Sequence, residues 1–390
     1  MKLVFHYHIA AKQVENKILI PAFLGLFIDS IAPYFEELIC LLHEPTQRQL
    51  EMIDYELKSQ NIRLESLCTY TSIPKRYLKS QSTISRIKQL NKEADLVLIR
   101  ASTPLLPFFK RFWKKPIILM LVSDATLGLE NLPQPKWRKK MIMIWANWYA
   151  NKELEVAKKS LTIVNSQFLY DSLKKEVKNM HLLRTTTLSK DDFFIREDTC
   201  QENQIRLLYA GRITKTKGIL DIIEAMAHLR EEGFNLHLNL VGMIDEKTGF
   251  LDEIKAKCDA FQMAGLVKYI GYRTAGEQLL KEYRTADVFV IASQASSEGF
   301  PRTLWEAMAS SLPIVATSVS SIPAFTKGCA ELAEPKNVKD YINKLRIVLT
   351  NEQRRKEMIS LGLKLAEENT LEKQGKRLAE LIKQVDPKQI

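Results

Sequence analysis

The sequence contains few cysteines, and their spacing excludes the common zinc and redox sites. Five cysteines are scattered over 390 residues, with no CxxC pair and no Cys/His cluster; those are the patterns typical of zinc and redox centres. An odd number of widely spaced cysteines fits a chain that folds in a reducing compartment. We therefore expect a cytoplasmic protein.

Long apolar runs are also missing. The most apolar stretch, Ile18 to Leu42, is interrupted by Asp29 and by the Glu36-Glu37 pair, before it reaches the roughly 18 uncharged residues that span a bilayer. The N-terminal run MKLVFHYHIA lacks the charged region, long apolar region and cleavage site of a signal peptide. We expect no transmembrane helix and no signal peptide.

Glycine and proline are sparse, at 14 residues each, and neither a low-complexity tract nor an internal repeat is visible. This composition excludes fibrous, solenoid and largely disordered proteins. A chain of 390 residues is longer than one compact core usually accommodates, so we expect two domains.

Basic residues are concentrated in the N-terminal half. Residues 1–195 hold 29 Lys+Arg against 19 Asp+Glu, whereas the remainder holds 28 against 27. Such an excess suits an anionic partner, such as nucleic acid, a phospholipid surface or a phosphorylated acceptor, and a merely solubilising surface is the alternative. Because no nucleic-acid-binding motif is recognisable, we expect no nucleic-acid partner.

Short β-rich runs alternate with longer segments of helical period in both halves, more clearly in the second. The alternation predicts an α/β fold with two Rossmann-like, doubly wound domains, whose ligands bind in a cleft at the carboxyl ends of the strands. We place the N-terminal domain at 1–190, joined by an amphipathic C-terminal helix at about 370–390, and the C-terminal domain at 191–369. The predicted strands are 2–8, 94–102, 115–124, 160–166, 205–211, 236–242, 267–272, 286–293 and 312–317.

The segment AGRITKTKG at 210–218 combines the parts of a phosphate-binding turn. A β-rich run ends at Gly211, a polar loop follows, and Lys217-Gly218 precedes a helical pattern. Glycine permits close backbone approach, a helix N-terminus attracts an anion, and Arg212 and Lys217 add two cations. The segment is not a P-loop, because GxxxxGK[ST] is absent. It predicts a diphosphate site, with a basic solvent-exposed turn as the alternative.

A second segment, SQASSEGFPRTLWEAMASSLPIVAT, runs from a strand end through a loop into a helix. Pro301 fits the first helical position, which would leave the amides of Arg302 and Thr303 free to hold phosphate oxygens. Glu298 lies in the loop. Glu306 lies further along the helix, where its carboxylate can accept hydrogen bonds from paired hydroxyls such as those of a ribose. The alternative for Glu306 is an exposed helix face.

Glu298 and Glu306, separated by seven residues, together with GRITKTKG upstream and LPIVAT downstream, resemble the EX7E signature of family 4 of the retaining GT-B glycosyltransferases. The resemblance covers about residues 205–350 in order and spacing; the N-terminal half matches only in overall pattern. It implies a GT-B fold and transfer of a sugar from a nucleotide-sugar donor with retention of configuration. It also implies that no metal and no cofactor is needed, and the absence of a DxD-like pair beside a strand end agrees.

The resemblance implies roles for individual residues. Arg212 and Lys217 correspond to the family's pair on the donor diphosphate, where they would stabilise the departing nucleotide. Glu298 corresponds to the glutamate that contacts the donor sugar, and Glu306 to the one that binds the ribose. Gly25 would lie in a loop, before an apolar helix, that approaches the phosphates. The remaining candidate donor-binding positions are Gly211, Tyr272 and Arg273 (near the base), Gly299, Phe300, Pro301, Arg302 and Thr303.

The chain departs from the family pattern at several positions. Ser311 and the Ser320-Ser321 pair stand where relatives often have glycine, and a changed sugar pocket is one possible result. At the end of the fourth strand of the first domain in this family, many relatives carry a histidine. The corresponding sequence here reads VSDATLG. Asp124 is therefore the candidate polar group near the acceptor, with a helix cap as the alternative. Without the histidine, we expect the leaving phosphate to take the acceptor proton.

The segment at 135–159 begins with a cluster of cations, followed by Trp145, Trp148 and Tyr149. Basic residues beside aromatic ones are typical of a helix that lies on a membrane surface. The alternative is a long core helix with a basic start. The basic N-terminal half favours an anionic membrane surface, and hence a peripheral location on the cytoplasmic face.

The sequence thus favours a metal-independent retaining glycosyltransferase that acts on a lipid-linked or surface-polysaccharide acceptor. One alternative is a GT-B-shaped nucleotide-sugar 2-epimerase, which needs a group for proton abstraction at the sugar. Another is a non-catalytic subunit that binds nucleotide sugars, since the histidine is missing and the glycines are altered.

Overall fold

The computed structural model describes the whole chain except residues 70–75, 78–79, 123–128, 130–134, 246–247, 295–299 and 386–390. The chain divides into two compact units, one formed by Met1–Thr185 with Leu371–Ile390 and the other by Thr186–Thr370. They are called the N-terminal and C-terminal units below.

The N-terminal unit contains a parallel sheet and a small antiparallel one. Its strands are β1 (Lys2–Ala10), β2 (Lys12–Val14), β3 (Lys17–Ile20), β4 (Glu37–His43), β5 (Tyr55–Glu56), β6 (Ile62–Leu67), β7 (Leu96–Ala101), β8 (Ile117–Leu121), β9 (Leu161–Val164) and β10 (Met180–Leu182). In the described residues the parallel sheet has the order β10-β9-β8-β7-β1-β4-β6, and β2, β3 and β5 form the antiparallel one. Strand β7 is buried along its full length, as expected for a parallel strand covered on both faces.

Helices cover both faces of the parallel sheet. Those described are α1 (Ala22–Ile31), α2 (Ser80–Glu93), α3 (Leu106–Phe112), α4 (Lys136–Ala157), α5 (Gln167–Leu173) and, from the end of the chain, α13 (Leu371–Lys383). Helix α13 packs on α1 through Leu378, Ala379 and Ile382 in the core on one face. The contact is close, because a Cβ at Gly375 would lie 2.7 Å from the carbonyl oxygen of Ser30.

The C-terminal unit is a single parallel sheet with helices between its strands. The strands are β11 (Gln204–Ala210), β12 (Asn235–Val241), β13 (Val267–Gly271), β14 (Val288–Ile291), β15 (Ile314–Thr317) and β16 (Ala330–Ala333), and the helices are α6 (Ile219–Glu231), α7 (Phe250–Ala260), α8 (Glu277–Thr285), α9 (Thr303–Ala309), α10 (Ile322–Thr326), α11 (Val338–Thr350) and α12 (Glu352–Glu367). The strand order over the described residues is β13-β12-β11-β14-β15-β16. The connections therefore reverse direction between β11 and β14, the switch point where doubly wound sheets bind ligands.

The predicted α/β class, with a doubly wound parallel sheet in each half, is confirmed. Every strand predicted from the sequence is present. The helical pattern predicted after Lys217-Gly218 lies on α6, where the apolar stripe is buried: Ile219, Ile222, Ile223, Met226 and Leu229. The strands that were missed are short or merge with neighbouring apolar sequence: β2, β3, β4, β5, β6, β10 and β16.

Candidate active site

The loop between β11 and α6, which carries Arg212 and Lys217, is held along the end of β12. The amide of Gly211 donates a hydrogen bond to the carbonyl of Val241 (2.9 Å), and Ile213 pairs with Ile244 as a parallel bridge. A Cβ at Gly242 would lie 1.8 Å from the carbonyl oxygen of Gly211, so only glycine permits this approach. The backbone of the basic loop is thus fixed at the carboxyl edge of the sheet.

The other end of this loop rests on the end of β14. Gly218 has a φ of +65°, and a Cβ there would lie 2.0 Å from the carbonyl oxygen of Ala292. The amide of Gln294 donates to the carbonyl of Thr216 (2.8 Å). The basic loop therefore lies against the strand end that leads towards Glu298, across the switch point of the sheet.

Arg212 and Lys217 differ in their surroundings. Arg212 is exposed, and its backbone carbonyl accepts a hydrogen bond from the Tyr209 hydroxyl (2.7 Å). Lys217 is half-buried; burial, with a smaller contribution from the charge of Arg212, lowers its pKa to about 8. A bound diphosphate would reverse this shift, because an anion stabilises the ammonium form.

The affinity for a nucleoside diphosphate is expected to fall as the pH rises above about 8, the pKa of Lys217. Below that pH the ammonium is charged and attracts the phosphates, whereas above it binding must take up a proton, so affinity falls by up to about tenfold per pH unit. The terminal phosphate has a second pKa of about 6, so it is already ionised in the pH range where Lys217 titrates. Calorimetric titration between pH 7 and pH 9.5 measures this dependence. In Lys217→Arg, whose charge persists, it should disappear.

Helix α9 begins at Thr303, so the prediction that Pro301 is the first helical residue is wrong. The carbonyl of Pro301 accepts a hydrogen bond from the amide of Leu304 (3.1 Å), and that of Arg302 accepts one from Trp305 (2.9 Å). The chain thus makes a turn at Pro301 before the helix starts, and Arg302 occupies the cap position.

Phe300 lies in the core of the C-terminal unit. Its side chain is buried, with its ring centroid 4.5 Å from that of Trp305 and 5.1 Å from that of Phe325. A contact between Phe300 and a donor would therefore involve its backbone.

Glu306 is 6% exposed, so the alternative of an exposed helix face is wrong. One carboxylate oxygen accepts a hydrogen bond from the Thr187 hydroxyl (2.6 Å) and the other accepts one from the Tyr283 hydroxyl (2.9 Å). Burial, and then the neighbouring carboxylate, raises the pKa of Tyr283 well above its ordinary value, so Tyr283 remains a donor. Each carboxylate oxygen has a further lone pair for a ligand hydroxyl.

Thr187 and Tyr283 are site residues that sequence reasoning missed. Tyr283 is fully buried on α8, where its ring stacks on Phe289 at a centroid distance of 5.6 Å. Its hydroxyl and that of Thr187 fix the orientation of Glu306. A buried tyrosine in a helix carries no sequence signal of this role, and Thr187 comes from a loop 119 residues away in the chain.

Tyr272 and Arg273 directly follow β13. Tyr272 is 44% exposed, and the Arg273 guanidinium donates to the Glu282 carboxylate (3.1 Å) and to the carbonyl of Ile270 (3.2 Å). Arg273 is thus held in place, and the Tyr272 ring is accessible to a planar ligand.

The prediction that Gly25 lies in a loop before a helix is wrong. Gly25 lies within α1, and its amide donates to the carbonyl of Pro21 (3.0 Å). A Cβ at Gly25 would lie 2.3 Å from the Tyr55 ring. Packing against Tyr55 therefore accounts for the glycine without a ligand.

Three candidate site residues lie outside the described part of the chain: Asp124, Glu298 and Gly299. Their roles stay predictions. In the described residues, no group of three or more His, Cys, Asp and Glu side chains is arranged to hold a metal ion.

Ser311 and Ser320 both adopt the left-handed conformation, with φ of +54° and +50°, which explains why glycine suits these positions. The Ser311 hydroxyl accepts a hydrogen bond from the amide of Arg196 (3.2 Å) and donates one to the carbonyl of Phe194 (2.9 Å). The Ser320 hydroxyl is buried and has no hydrogen-bond partner in the described residues. Two hydrogen bonds thus offset the strained conformation of Ser311, whereas the Ser320 hydroxyl makes none in the described residues.

Ser320→Gly is expected to stabilise the protein by about 1 kcal/mol, because it relieves the left-handed strain and removes a buried unpaired hydroxyl. The melting temperature should rise by about 2–4 °C in a domain of this size. Ser311→Gly is the matched control: it relieves the same strain but loses two hydrogen bonds, so no gain is expected. Equal stabilisation by both substitutions would contradict this explanation.

Comparison with known proteins gives one family match. The family model "Glycosyl transferases group 1" matches residues 191–364. The lipopolysaccharide 1,2-N-acetylglucosaminetransferase of Salmonella typhimurium is 30% identical over 158 residues, which are 39% of this chain and 41% of that protein. The amylovoran biosynthesis glycosyltransferase AmsK of Erwinia amylovora is 29% identical over 123 residues, 30% of this chain and 29% of that protein. The match thus spans less than half of the length of these two curated relatives.

A solved structure matches over almost the whole chain. The crystal structure of Anabaena Alr3699/HepE in complex with UDP has a TM-score of 0.74 and 16% sequence identity, and covers 99% of this chain and 100% of that one. At this identity the likeness concerns the fold, and it confirms the predicted GT-B fold. Residues 191–364 match the family by sequence and carry the basic loop and Glu306, so this part of the chain is a glycosyl transferases group 1 domain.

Proposed function

We propose that the protein is a glycosyltransferase that takes a sugar from a nucleotide donor bound to its C-terminal unit. The observation that carries the proposal is that the basic loop lies against the end of β14. Helix α9, which packs in the same unit, carries Glu306. Two cations and a buried carboxylate with spare acceptor capacity suit a diphosphate and a ribose. The UDP bound in the Anabaena protein supports a nucleotide donor here.

In this proposal the protein contributes electrostatic stabilisation and positioning. Arg212 and Lys217 stabilise the negative charge that develops on the leaving diphosphate, so no metal is required. Glu306 orients the ribose, and Glu298 binds hydroxyls of the donor sugar. The leaving phosphate takes the proton of the acceptor hydroxyl on the same face, so the sugar keeps its configuration. Asp124 is the proposed polar group on the acceptor side, and a fully active Asp124→Ala variant would exclude it.

A thermal-shift screen with nucleotide sugars and free nucleoside diphosphates tests the donor site. A ligand that binds only the native state raises the melting temperature, by an amount that grows with the ratio of its concentration to Kd. We expect one nucleotide, UDP, GDP or ADP, to raise the melting temperature of the protein. It should do so both as the free diphosphate and as the corresponding nucleotide sugar. If no nucleotide raises the melting temperature, the proposed function is wrong.

We further propose that the acceptor is lipid-linked or belongs to a surface polysaccharide, and that the protein binds an anionic membrane surface. The Salmonella relative, which acts on lipopolysaccharide by its name, supports such an acceptor. No described helix is both long and apolar enough to cross a bilayer, so the contact would be peripheral. The first turns of α4 offer a surface for it.

Four large apolar side chains line one stripe of α4 at helical spacing and are exposed to solvent. Trp137, Met141, Ile144 and Trp148 are 67%, 64%, 62% and 43% exposed. Exposed Lys136, Arg138 and Lys140 lie in the same turns. An apolar stripe flanked by cations matches the boundary between anionic headgroups and acyl chains.

The protein is expected to sediment with vesicles that contain phosphatidylglycerol at low salt and to be released as salt screens the cations. Trp137→Ser should weaken binding about tenfold or more, because the indole no longer enters the interface. Phe168→Ser, which removes a 44% exposed aromatic residue from α5, is the matched control and should have no effect. Absence of vesicle binding at low salt would refute the membrane proposal.

A further inference from the structure

Cationic and imidazole side chains converge where strands β1, β4 and β7 of the N-terminal unit end. The innermost is His6, which is fully buried and internally satisfied. Its Nδ1–H donates to the carbonyl of Leu41 (2.8 Å), and its Nε2 accepts from the Thr103 hydroxyl (2.8 Å). His6 is thus held in one orientation and supports the residues that lie nearer the strand ends.

His43 and His8 form the next layer. The His43 ring lies 6.3 Å from that of His6, and its Nδ1–H donates to the carbonyl of Cys68 (3.3 Å). The Nδ1 atom of His8 is buried and has no hydrogen-bond partner in the described part of the chain. His8 therefore has one ring nitrogen whose hydrogen bonding a ligand can complete.

Arg100 approaches from the opposite face of the sheet. It is 8% exposed, and its guanidinium carbon lies 5.0 Å from the centroid of the Tyr7 ring and 5.8 Å from that of Phe27. Stacking on two rings holds a guanidinium in one orientation at low entropic cost when it binds an anion.

The charges of this group act on one another. Burial, and then the charges of Arg76, His43 and Arg100, lowers the pKa of His8 to about 4. Burial, and then Arg76, lowers that of His43 to about 4. Both imidazoles are therefore neutral at pH 7, beside two guanidinium groups.

The Glu153 carboxylate lies beside Ser102, the residue that follows β7. It accepts hydrogen bonds from the hydroxyls of Ser102 (3.2 Å) and Tyr149 (3.2 Å), and no carboxylate is among the described causes of the pKa shift of His8 or His43. The electrostatic environment of the two imidazoles is thus cationic.

We propose that His8, His43, Arg76 and Arg100 form a binding pocket for a phosphate group of the acceptor. The inference rests on the proposed function, which supplies the need for an acceptor, and it adds the chemical class of that acceptor. Donors that reach the pocket from both faces of the sheet suit a tetrahedral anion better than a planar carboxylate. Bound phosphate would favour protonation of His8 and so provide its Nδ1 with a partner.

The test uses the full-length Lys217→Met variant, in which the donor site retains little affinity for phosphates. Inorganic phosphate, glycerol 3-phosphate and glucose 6-phosphate should each raise its melting temperature, and glucuronic acid should do so much less. The tighter of the two organic phosphates identifies a lipid-type or a sugar-type acceptor. His8→Gln and Arg100→Gln, each added to Lys217→Met, should weaken phosphate binding about tenfold or more.

Because Arg100 is buried, Arg100→Gln is a risk to folding, and half-buried His8 therefore provides a second measurement. The imidazole resonances of His8 should titrate near pH 4 without ligand and at clearly higher pH with phosphate, which a purely structural histidine would not show. Unchanged phosphate binding in His8→Gln, an unshifted His8 titration or equal stabilisation by glucuronic acid would overturn the pocket. Nucleotide binding by the wild-type protein tests the proposed function separately, since it does not involve His8.

Discussion

Replacement of Lys217 by methionine is expected to lower kcat/KM for the nucleotide-sugar donor by about 100-fold or more. Lys217 is half-buried beside Arg212 on a loop whose backbone is fixed by glycine contacts at both ends. Its charge therefore needs no reorganisation when negative charge develops on the leaving diphosphate, and such pre-positioned charges contribute most to catalysis. Steady-state kinetics with the donor identified by thermal shift measure the effect.

Lys215 provides the matched control in the same loop. It is 63% exposed and pairs with Glu253, so Lys215→Met should change kcat/KM by less than about twofold. Lys217→Arg keeps a charge and should recover part of the activity. If Lys215→Met and Lys217→Met reduce activity equally, the effect is one of general surface charge and the assigned role of Lys217 is wrong.

Replacement of Arg355 by methionine is expected to destabilise the C-terminal unit by about 3–5 kcal/mol. The Arg355 guanidinium donates two hydrogen bonds to the Asp198 carboxylate (2.7 and 2.8 Å) and a third to the carbonyl of Val348 (3.0 Å). Both charged side chains are buried, at 6% and 7% exposure. Removal of one leaves the other as an unpaired buried charge. Urea denaturation measures the loss.

The neighbouring residue offers a control for Arg355. Lys356 pairs with Glu352 at 2.7 Å on the surface, so Lys356→Met should cost less than about 1 kcal/mol. The double variant Asp198→Leu with Arg355→Met should lose less free energy of unfolding than Arg355→Met alone, because neither charge stays buried without its partner. If Arg355→Met lowers the free energy of unfolding no more than Lys356→Met does, the bridge contributes little to stability.

The pH dependence of this bridge follows from the pKa of Asp198. Burial by itself would raise that pKa, but the hydrogen bonds from Arg355 and from the backbone of Thr199, together with the charges of Arg355 and Lys356, outweigh burial and lower it. The bridge therefore stabilises the fold at pH values above the unfolded pKa of about 4, and this contribution is lost as the pH falls through the lower folded pKa. The difference between wild type and Arg355→Met should shrink correspondingly in acid.

The class of the fold could be predicted from the sequence because buried parallel strands are almost uninterrupted apolar runs. LLYA in β11 and VFVI in β14 are examples, and each is buried. The helix α6 between them shows a regular apolar stripe. Strands such as β10, with three residues, are too short to give a pattern of their own.

The candidate site was predicted best where chemistry and backbone requirements coincide. Gly211 begins the basic loop and Gly218 ends it with a close approach to the carbonyl of Ala292, and Arg212 and Lys217 lie between them. The residues that orient Glu306 were missed, since Thr187 is distant in the chain and Tyr283 occupies an ordinary helical position. Tertiary contacts of this kind leave no local pattern.

Gly25 shows why a lone glycine misleads. The family resemblance placed Gly25 in a loop, yet its neighbours FLGLF form a helix whose close contact with Tyr55 accounts for the glycine. The histidines of β1 were treated as part of an apolar strand, because a single strand does not reveal that His8 meets His43 and Arg100 from neighbouring strands.

The most direct test of the central claim is to follow a nucleotide-sugar donor by proton NMR in the presence of the purified protein. Slow release of the nucleoside diphosphate is expected, with the freed or transferred sugar initially in the anomeric configuration of the donor, and the release should be lost in Lys217→Met but not in Lys215→Met. If none of the UDP-, GDP- and ADP-sugars is consumed, or if Lys217→Met consumes the donor as fast as the wild-type protein, the account of the donor site is contradicted.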